Sequence, residues 1–295
     1  MDIKQILKSN REKLSDSSLK TYTSLLRALH KQMYGKEQFH IDNFNKTTDV
    51  IKYVNQIENI NKRKTLYSAL YILTNKKKYN DFMRNDIEQY RVTQKQQTKN
   101  VKEKSNWIDF SQIKEMHSKL KKDILKLMNI KNLSMIQLQE IQQFIILSLC
   151  SGVYNSPRRS LDYTEMVVKN GNDSNNYIDF KKKEFVFNIY KTQNTYDEQR
   201  IDIHPELFSI LKKWIKLIPK NTNYLLFNEQ TNKLTPVTLN QRLNKLFGNK
   251  ISTSMLRKIF LSDLYKNIPK LEELQETADN MAHSVNIALT SYVKK

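Results

Sequence analysis

Apolar positions recur at helical spacing through roughly the first ninety residues. Leu19, Tyr22, Leu25, Leu26 and Leu29 form an i, i+3, i+4, i+7 stripe behind the cap residues of Leu14-Ser15-Asp16-Ser17-Ser18. Thr47-Thr48-Asp49 precedes a second stripe of Val50, Ile51, Val54 and Ile57. Asn59-Ile60-Asn61 precedes a third, with Leu66, Leu70, Ile72 and Leu73. A fourth, more polar helix is expected from about Asp81 to Gln97. Short polar connections make residues 1–92 a bundle of four or five helices. Residues 93–105 carry many charges and no aliphatic periodicity, and read as a linker or a frayed helix end.

The pattern changes after Trp107. Helices are expected at 111–128 and 134–149, followed by strand-like segments at 177–179, 184–190 and 199–203. Ile201 and Ile203 alternate with polar neighbours, the signature of a half-buried strand. Pro205 opens another helix with Leu207, Ile210, Leu211 and Trp214. Further helices follow at about 237–247, 253–266, 270–281 and 284–292. The expected fold is mainly α: an amino-terminal helical bundle, then a helical domain over 106–295 with a small antiparallel sheet.

Composition agrees with this reading. Only 4 glycines and 5 prolines occur in 295 residues, which disfavours a loop-rich or all-β chain. No apolar run approaches the length of a membrane-spanning helix, and Met1 to Gln5 lacks a signal-peptide core. The single cysteine, Cys150, excludes an internal disulfide and a multi-cysteine zinc site, and lies in an apolar run expected to be core. An intracellular, reducing environment follows as an expectation. The net charge of +20 points to a polyanionic partner, although much of the lysine excess fits an A+T-rich coding sequence. Lys and Arg outnumber Asp and Glu two to one in residues 1–104, which concentrates an electrostatic footprint there.

Four short segments carry the candidate chemistry. Pro157-Arg158-Arg159-Ser160-Leu161-Asp162-Tyr163 places adjacent arginines after a proline-fixed turn. The planar guanidinium fork suits phosphate, and the three-residue spacing to Asp162 favours Arg159 over Arg158 as the projecting group. Lys191 follows a strand at the start of a turn. Ser254-Met255-Leu256-Arg257 sets a second arginine beside the apolar face of Leu256, Phe260 and Leu264. Met281-Ala282-His283-Ser284 precedes Tyr292 by nine residues, counted from His283. Each of these is weak by itself. A phenol behind a His-Ser pair, downstream of two arginine motifs, suits attack on a phosphodiester, because cationic donors must clamp the non-bridging oxygens.

Taken in order, these segments resemble the tyrosine recombinase (phage integrase) family across nearly the whole chain. Pro157 to Tyr163 is most similar to integrases of large DNA viruses, virophages and Polinton-type elements. The resemblance implies that residues 1–92 are a DNA-binding core-binding domain and 106–295 the catalytic domain. It implies catalytic roles for Arg159, Lys191, Arg257, His283 and Tyr292: two phosphate-clamping arginines, a general acid, a phosphate-binding histidine and the nucleophile. Asp162 would support the first arginine. Two positions depart from the family pattern. Ser254 stands where a histidine is frequent, and Ala282 stands where a glycine is usual. The implied reaction recombines duplex DNA through a 3′-phosphotyrosine and needs no cofactor or metal. The implied assembly is a tetramer on DNA from a monomer or weak oligomer, without membrane attachment, in the host nucleus or cytoplasm for a viral or mobile-element protein. Two alternatives share the chemistry or the fold: a type IB-like topoisomerase, and a DNA-binding protein with impaired catalysis.

Overall fold

Side-chain caps set several helix starts in the amino-terminal part. Ser15 accepts from Ser18 N at the head of α2 (Asp16–Tyr34), and Asn59 accepts from Lys62 N at the head of α4 (Ile60–Thr74). Asp2 caps α1 (Ile3–Asn10), a short helix that the sequence reading does not include. A 3₁₀ turn over Ile41–Asn45, α3 (Thr47–Val54) and α5 (Lys77–Lys95) complete this part. The computed structural model describes residues 2–35, 38–266 and 271–294. It divides into two compact units, Met1–Gln96 and Gln97–Lys295.

The first unit is organised about α4, which buries Leu66, Tyr67, Ala69, Leu70, Ile72 and Leu73. Leu26 and Leu29 of α2, Phe44 of the 3₁₀ turn and Tyr79 of α5 close the core around it. The buried phenols are satisfied: Tyr79 donates to Phe44 O at 2.5 Å and Tyr67 to Asn55 Oδ1 at 2.7 Å. Asp86 is buried opposite Arg63, whose Nε and Nη2 lie 2.9 and 2.5 Å from its oxygens. Removing either partner would strand a buried charge, so this pair fixes α4 against α5.

Residues 93–95 continue α5, and Asn100 and Glu103 form a reciprocal capping box that starts α6 (Val101–Asn106). Of the stretch read as a linker, helix therefore occupies both ends. α6 belongs to the second unit. Its Glu103 pairs with Lys258, and Asn106 Oδ1 accepts from Lys250 N at 2.8 Å.

In the second unit α7 (Phe110–Leu127), α8 (Met135–Cys150), α11 (Pro205–Leu217), α12 (Pro236–Phe247) and α13 (Thr253–Leu264) enclose one core. Trp214 is its largest member, stacked on Phe227 at 5.7 Å with its Nε1 donating to Leu225 O. Cys150 is fully buried there. The sheet runs β1 (Met166–Val167), β2 (Asn176–Asp179), β3 (Glu184–Phe187), β4 (Gln199–Asp202), in that order. β2–β3 and β3–β4 are antiparallel, as expected, but β1 pairs with β2 in parallel, so the sheet is mixed. A strand of two residues has no alternation to read. β3 also ends three residues before the expected Tyr190. The amides of Asn188 and Ile189 donate to the Asn176 side chain at 2.8 and 2.7 Å instead of to a ladder. Asn176 in turn donates to Asp162 O and Ile189 O, both at 2.8 Å, so one buried amide ties β2 to two segments that carry candidate chemistry.

The short helices α9 (Ser160–Thr164) and α10 (Gln193–Tyr196) lie between these elements, and α14 (Leu271–Asn280) and α15 (Val285–Ile287) follow α13. The helix expected from 270 begins, among the described residues, at Leu271; position 270 lies outside them. The helix expected at 284–292 is α15 followed by a π-helical turn over Ala288–Tyr292.

Candidate active site

The first arginine segment follows α8. Gly152 takes φ +87°, and a Cβ there would meet the Phe260 ring at 2.4 Å, so glycine lets the end of α8 lie directly against α13. The chain then turns through buried Pro157 into α9. Arg158 is fully buried and its Nε donates to Asp162 Oδ2 at 2.8 Å. The three-residue spacing suggested that Asp162 orients Arg159; the structure corrects this, giving the carboxylate to Arg158, one residue earlier in the extended segment before α9. Burial pushes the Asp162 carboxyl up, against the pull of Arg158. Arg159 is left half-buried, with Nη1 enclosed and unpartnered.

α13 supplies Arg257. Ser252 caps the helix, Asn240 Oδ1 receives Thr253 N, and Leu256 and Ile259 anchor it in the core. Arg257 is 1% exposed. Its Nη2 donates to Met281 O at 3.2 Å and its Nη1 to Tyr292 Oη at 3.0 Å. Its guanidinium also lies 4.5 Å from the centre of the Tyr292 ring. Nε has no partner.

The histidine arrives through a helix ending. Ala282 takes φ +53° after α14, and His283 N closes the turn on Ala278 O at 3.1 Å. This left-handed position gives a physical reason for a glycine there; alanine carries the strain, with its methyl fully buried. Ser284 then caps α15, and the π turn delivers Tyr292. Such insertions rotate a side chain out of helical register and are frequent at functional sites. The His283 and Tyr292 rings stack at 5.2 Å, 22° apart.

Arg257, His283 and Tyr292 therefore meet, and Arg159 lies close enough for its charge to act on both Arg257 and His283. Burial holds the Arg257 guanidinium down at about 10, and Arg159 and Arg158 push the same way against Tyr292 and Asp162. Burial, with Arg257 and Arg159 adding to it, holds the His283 imidazole down at about 4, so the ring is neutral near pH 7. Neither His283 nitrogen makes a hydrogen bond of good geometry, although the backbone of His283 and Ser284 lies close enough to pull the imidazole upward against burial. Buried polar atoms are normally satisfied. Here Arg158 Nη2, Arg159 Nη1, Arg257 Nε and both His283 nitrogens are unsatisfied in one region of excess positive charge, as is Asp162 Oδ1 behind them. That arrangement suits an oxyanion with several acceptor oxygens beside a phenol.

Lys191 and Ser254 are not part of this cluster. Lys191 is exposed on the β3–β4 connection, although the next residue tethers that connection to the histidine turn: Thr192 Oγ1 donates to Ala282 O at 3.3 Å. Ser254 is exposed in the first turn of α13, in a groove of about 220 Å³ lined also by Lys102, Lys250 and Lys258. Among the described residues no group of three or more His, Cys, Asp or Glu could hold a metal ion, and no helix is long and apolar enough to cross a membrane. Sequence reasoning weighed Arg158 and set it behind Arg159, and it missed Gln199, which proves to be a partner of Arg158. Four-residue spacing gives no helical signal for Arg158, because α9 begins at Ser160 and Arg158 reaches Asp162 from the extended segment before the helix.

No family model and no curated protein matches the sequence. Solved structures do. A lambda integrase tetramer bound to a Holliday junction matches with a TM-score of 0.52 and 12% identity, covering 99% of this chain and 76% of that one. A lambda integrase(75–356) dimer bound to a COC′ core site matches with a TM-score of 0.51 and 12% identity, over 95% and 92% of the two chains. The chain thus has the fold seen in lambda integrase.

Proposed function

We propose that this protein is a DNA breaking and rejoining enzyme, a site-specific recombinase or integrase acting through Tyr292. The observation that carries the reading is the Arg257–Tyr292 hydrogen bond beside the unsatisfied nitrogens of Arg159, Arg257 and His283. Tyr292 Oη attacks the scissile phosphorus, its proton leaving to solvent, and the bond from phosphorus to the 5′ oxygen breaks. The products are a 3′-phosphotyrosine and a free 5′ hydroxyl. Arg159 and Arg257 neutralise the phosphorane, where preorganised charge is worth most. His283, neutral at physiological pH, donates one hydrogen bond to a non-bridging oxygen. Lys191 protonates the leaving oxygen as general acid, reaching in from its tethered connection once DNA is bound. Attack by a second 5′ hydroxyl reverses the step, so phosphodiester energy is conserved.

Within this reading Met1–Gln96 is the core-binding unit and Gln97–Lys295 the catalytic unit, both on duplex DNA. Lambda integrase is seen as a dimer on a core site and a tetramer on a junction, and a tetramer on DNA is proposed here by extension. The similarity of Pro157 to Tyr163 to viral and Polinton-type integrases supports a mobile-element or viral origin, with action inside the host cell. The test is incubation of the full chain with nicked duplexes of randomised core sequence in excess EDTA. A denaturation-resistant DNA–protein adduct is expected. Adduct formation only after magnesium or zinc is restored would contradict the charge stabilisation assigned to the arginines.

A further inference from the structure

Arg158 makes more directed contacts than any group in the cluster it stands behind. It is 1% exposed. Nε donates to Asp162 Oδ2 at 2.8 Å, and Nη1 donates both to Gln199 Oε1 at 2.6 Å and to Asn280 O at 3.0 Å. The guanidinium lies 4.1 Å from the Phe187 ring centre and 5.0 Å from that of Tyr190. Each contact reaches a segment that leads to a proposed catalytic group. Asp162 sits in the helix that Arg159 caps. Phe187 and Tyr190 flank the path to Lys191. Asn280 ends α14, immediately before Met281, whose carbonyl holds Arg257, and two residues further on is His283. Gln199 doubles the last link, its Nε2 donating to Asp279 O at 3.3 Å.

We infer that Arg158 is a positioning residue for the proposed strand-cleavage reaction, a strut that through Nε and Nη1 sets Arg159, the Lys191 connection and the His283 turn in register, with Nη2 alone left without a partner. The inference rests on the function proposed above. A planar fork is required, because three acceptors in different directions and two aromatic faces are engaged at once. A lysine keeps the charge but offers a single point. Displacement of about 1 Å at a reacting centre costs on the order of 100-fold in rate, so the strut shows itself in the chemical step and not in affinity.

The test compares parent, Arg158→Lys, Gln199→Ala, Arg159→Ala and Tyr292→Phe as full chains on a nicked duplex carrying the mapped cleavage site. It measures melting temperature, DNA affinity and the first-order rate of adduct formation at saturating DNA. For Arg158→Lys the rate is expected to fall 10- to 100-fold, with affinity within 3-fold of the parent. Gln199→Ala, which removes one leg at a half-exposed position, is expected to fall about 10-fold. The second readout is a duplex with a methylphosphonate at the cleavage position, which lacks the non-bridging charge that Arg159 neutralises. Defects acting through a displaced Arg159 are recovered on it, as the Arg159→Ala defect is, and a general loss of folding is not. Parental rates in Arg158→Lys or Gln199→Ala overturn the inference. So does a loss that tracks melting temperature and is not recovered by the methylphosphonate. If instead the parent forms no adduct, or Tyr292→Phe forms one, the proposed function falls and the inference falls with it.

Discussion

At the scale of single residues, the burial of titratable groups explains the most. His117 is 2% exposed, bonded to Ser148 Oγ at 2.9 Å, and burial with help from Lys121 holds it down at about 4. An unfolded histidine titrates near 6.5. Between about pH 6.5 and 4 the unfolded chain therefore binds protons that the native chain refuses, and stability falls as pH is lowered through that window. At pH 5 each such histidine removes roughly 2 kcal/mol relative to neutral pH. His117→Phe keeps the ring contacts to Phe144 and Tyr154 and removes the titration. Denaturant unfolding at pH 7 and pH 5 is expected to show a drop smaller by about 2 kcal/mol in the variant than in the parent. Equal drops would mean that His117 is protonated in the native state. The same scale shows what sequence could and could not supply. The residue types and order of Arg159, Arg257, His283 and Tyr292 were readable. The partner of Asp162 was not, because Arg158 and Arg159 both lie in the extended segment before α9, where helical spacing does not apply, and Arg158 is the one packed against Phe187 and Tyr190. Nor could spacing show that Ser254, one turn before Arg257, stays on an exposed first turn.

At the scale of elements, periodicity revealed the long helices and missed the short pieces that aim the chemistry. Stripes such as Leu207, Ile210, Leu211 and Trp214 exist because those residues face a core, so the pattern survives in the sequence. β1, α9 and the π turn are two to five residues long and held by tertiary hydrogen bonds, which leave no period. The contact between α8 and α13 has a direct test. Gly152→Ala forces a side chain into φ +87° and into the Phe260 ring. Left-handed strain and overpacking together are expected to cost about 2–4 kcal/mol. Because α13 carries Arg257, the cleavage rate is expected to fall as well. Thermal unfolding and single-turnover cleavage measure both; a variant with parental values for each would show that α8 and α13 separate without consequence.

At the scale of the whole molecule, two units with separate cores share an excess of 20 positive charges. Binding to duplex DNA by such a chain releases counterions, so affinity should fall steeply with salt. If about eight phosphates are neutralised, the log–log slope is roughly −7. The isolated Gln97–Lys295 unit is expected to bind more weakly and with a shallower slope, since the basic excess of the first unit is gone. Equal slopes for the full chain and the isolated unit would make Met1–Gln96 a protein-interaction module instead of a DNA clamp. The central claim, that Tyr292 is the nucleophile, is tested most directly by isolating the covalent adduct, digesting it with protease and nuclease, and locating the attached nucleotide by mass spectrometry. The expected result is a 3′-linked nucleotide on Tyr292, a free 5′ hydroxyl on the other strand end, and no adduct from Tyr292→Phe. A nucleotide on any other residue, a 5′ linkage, or an adduct from the Phe variant would contradict it.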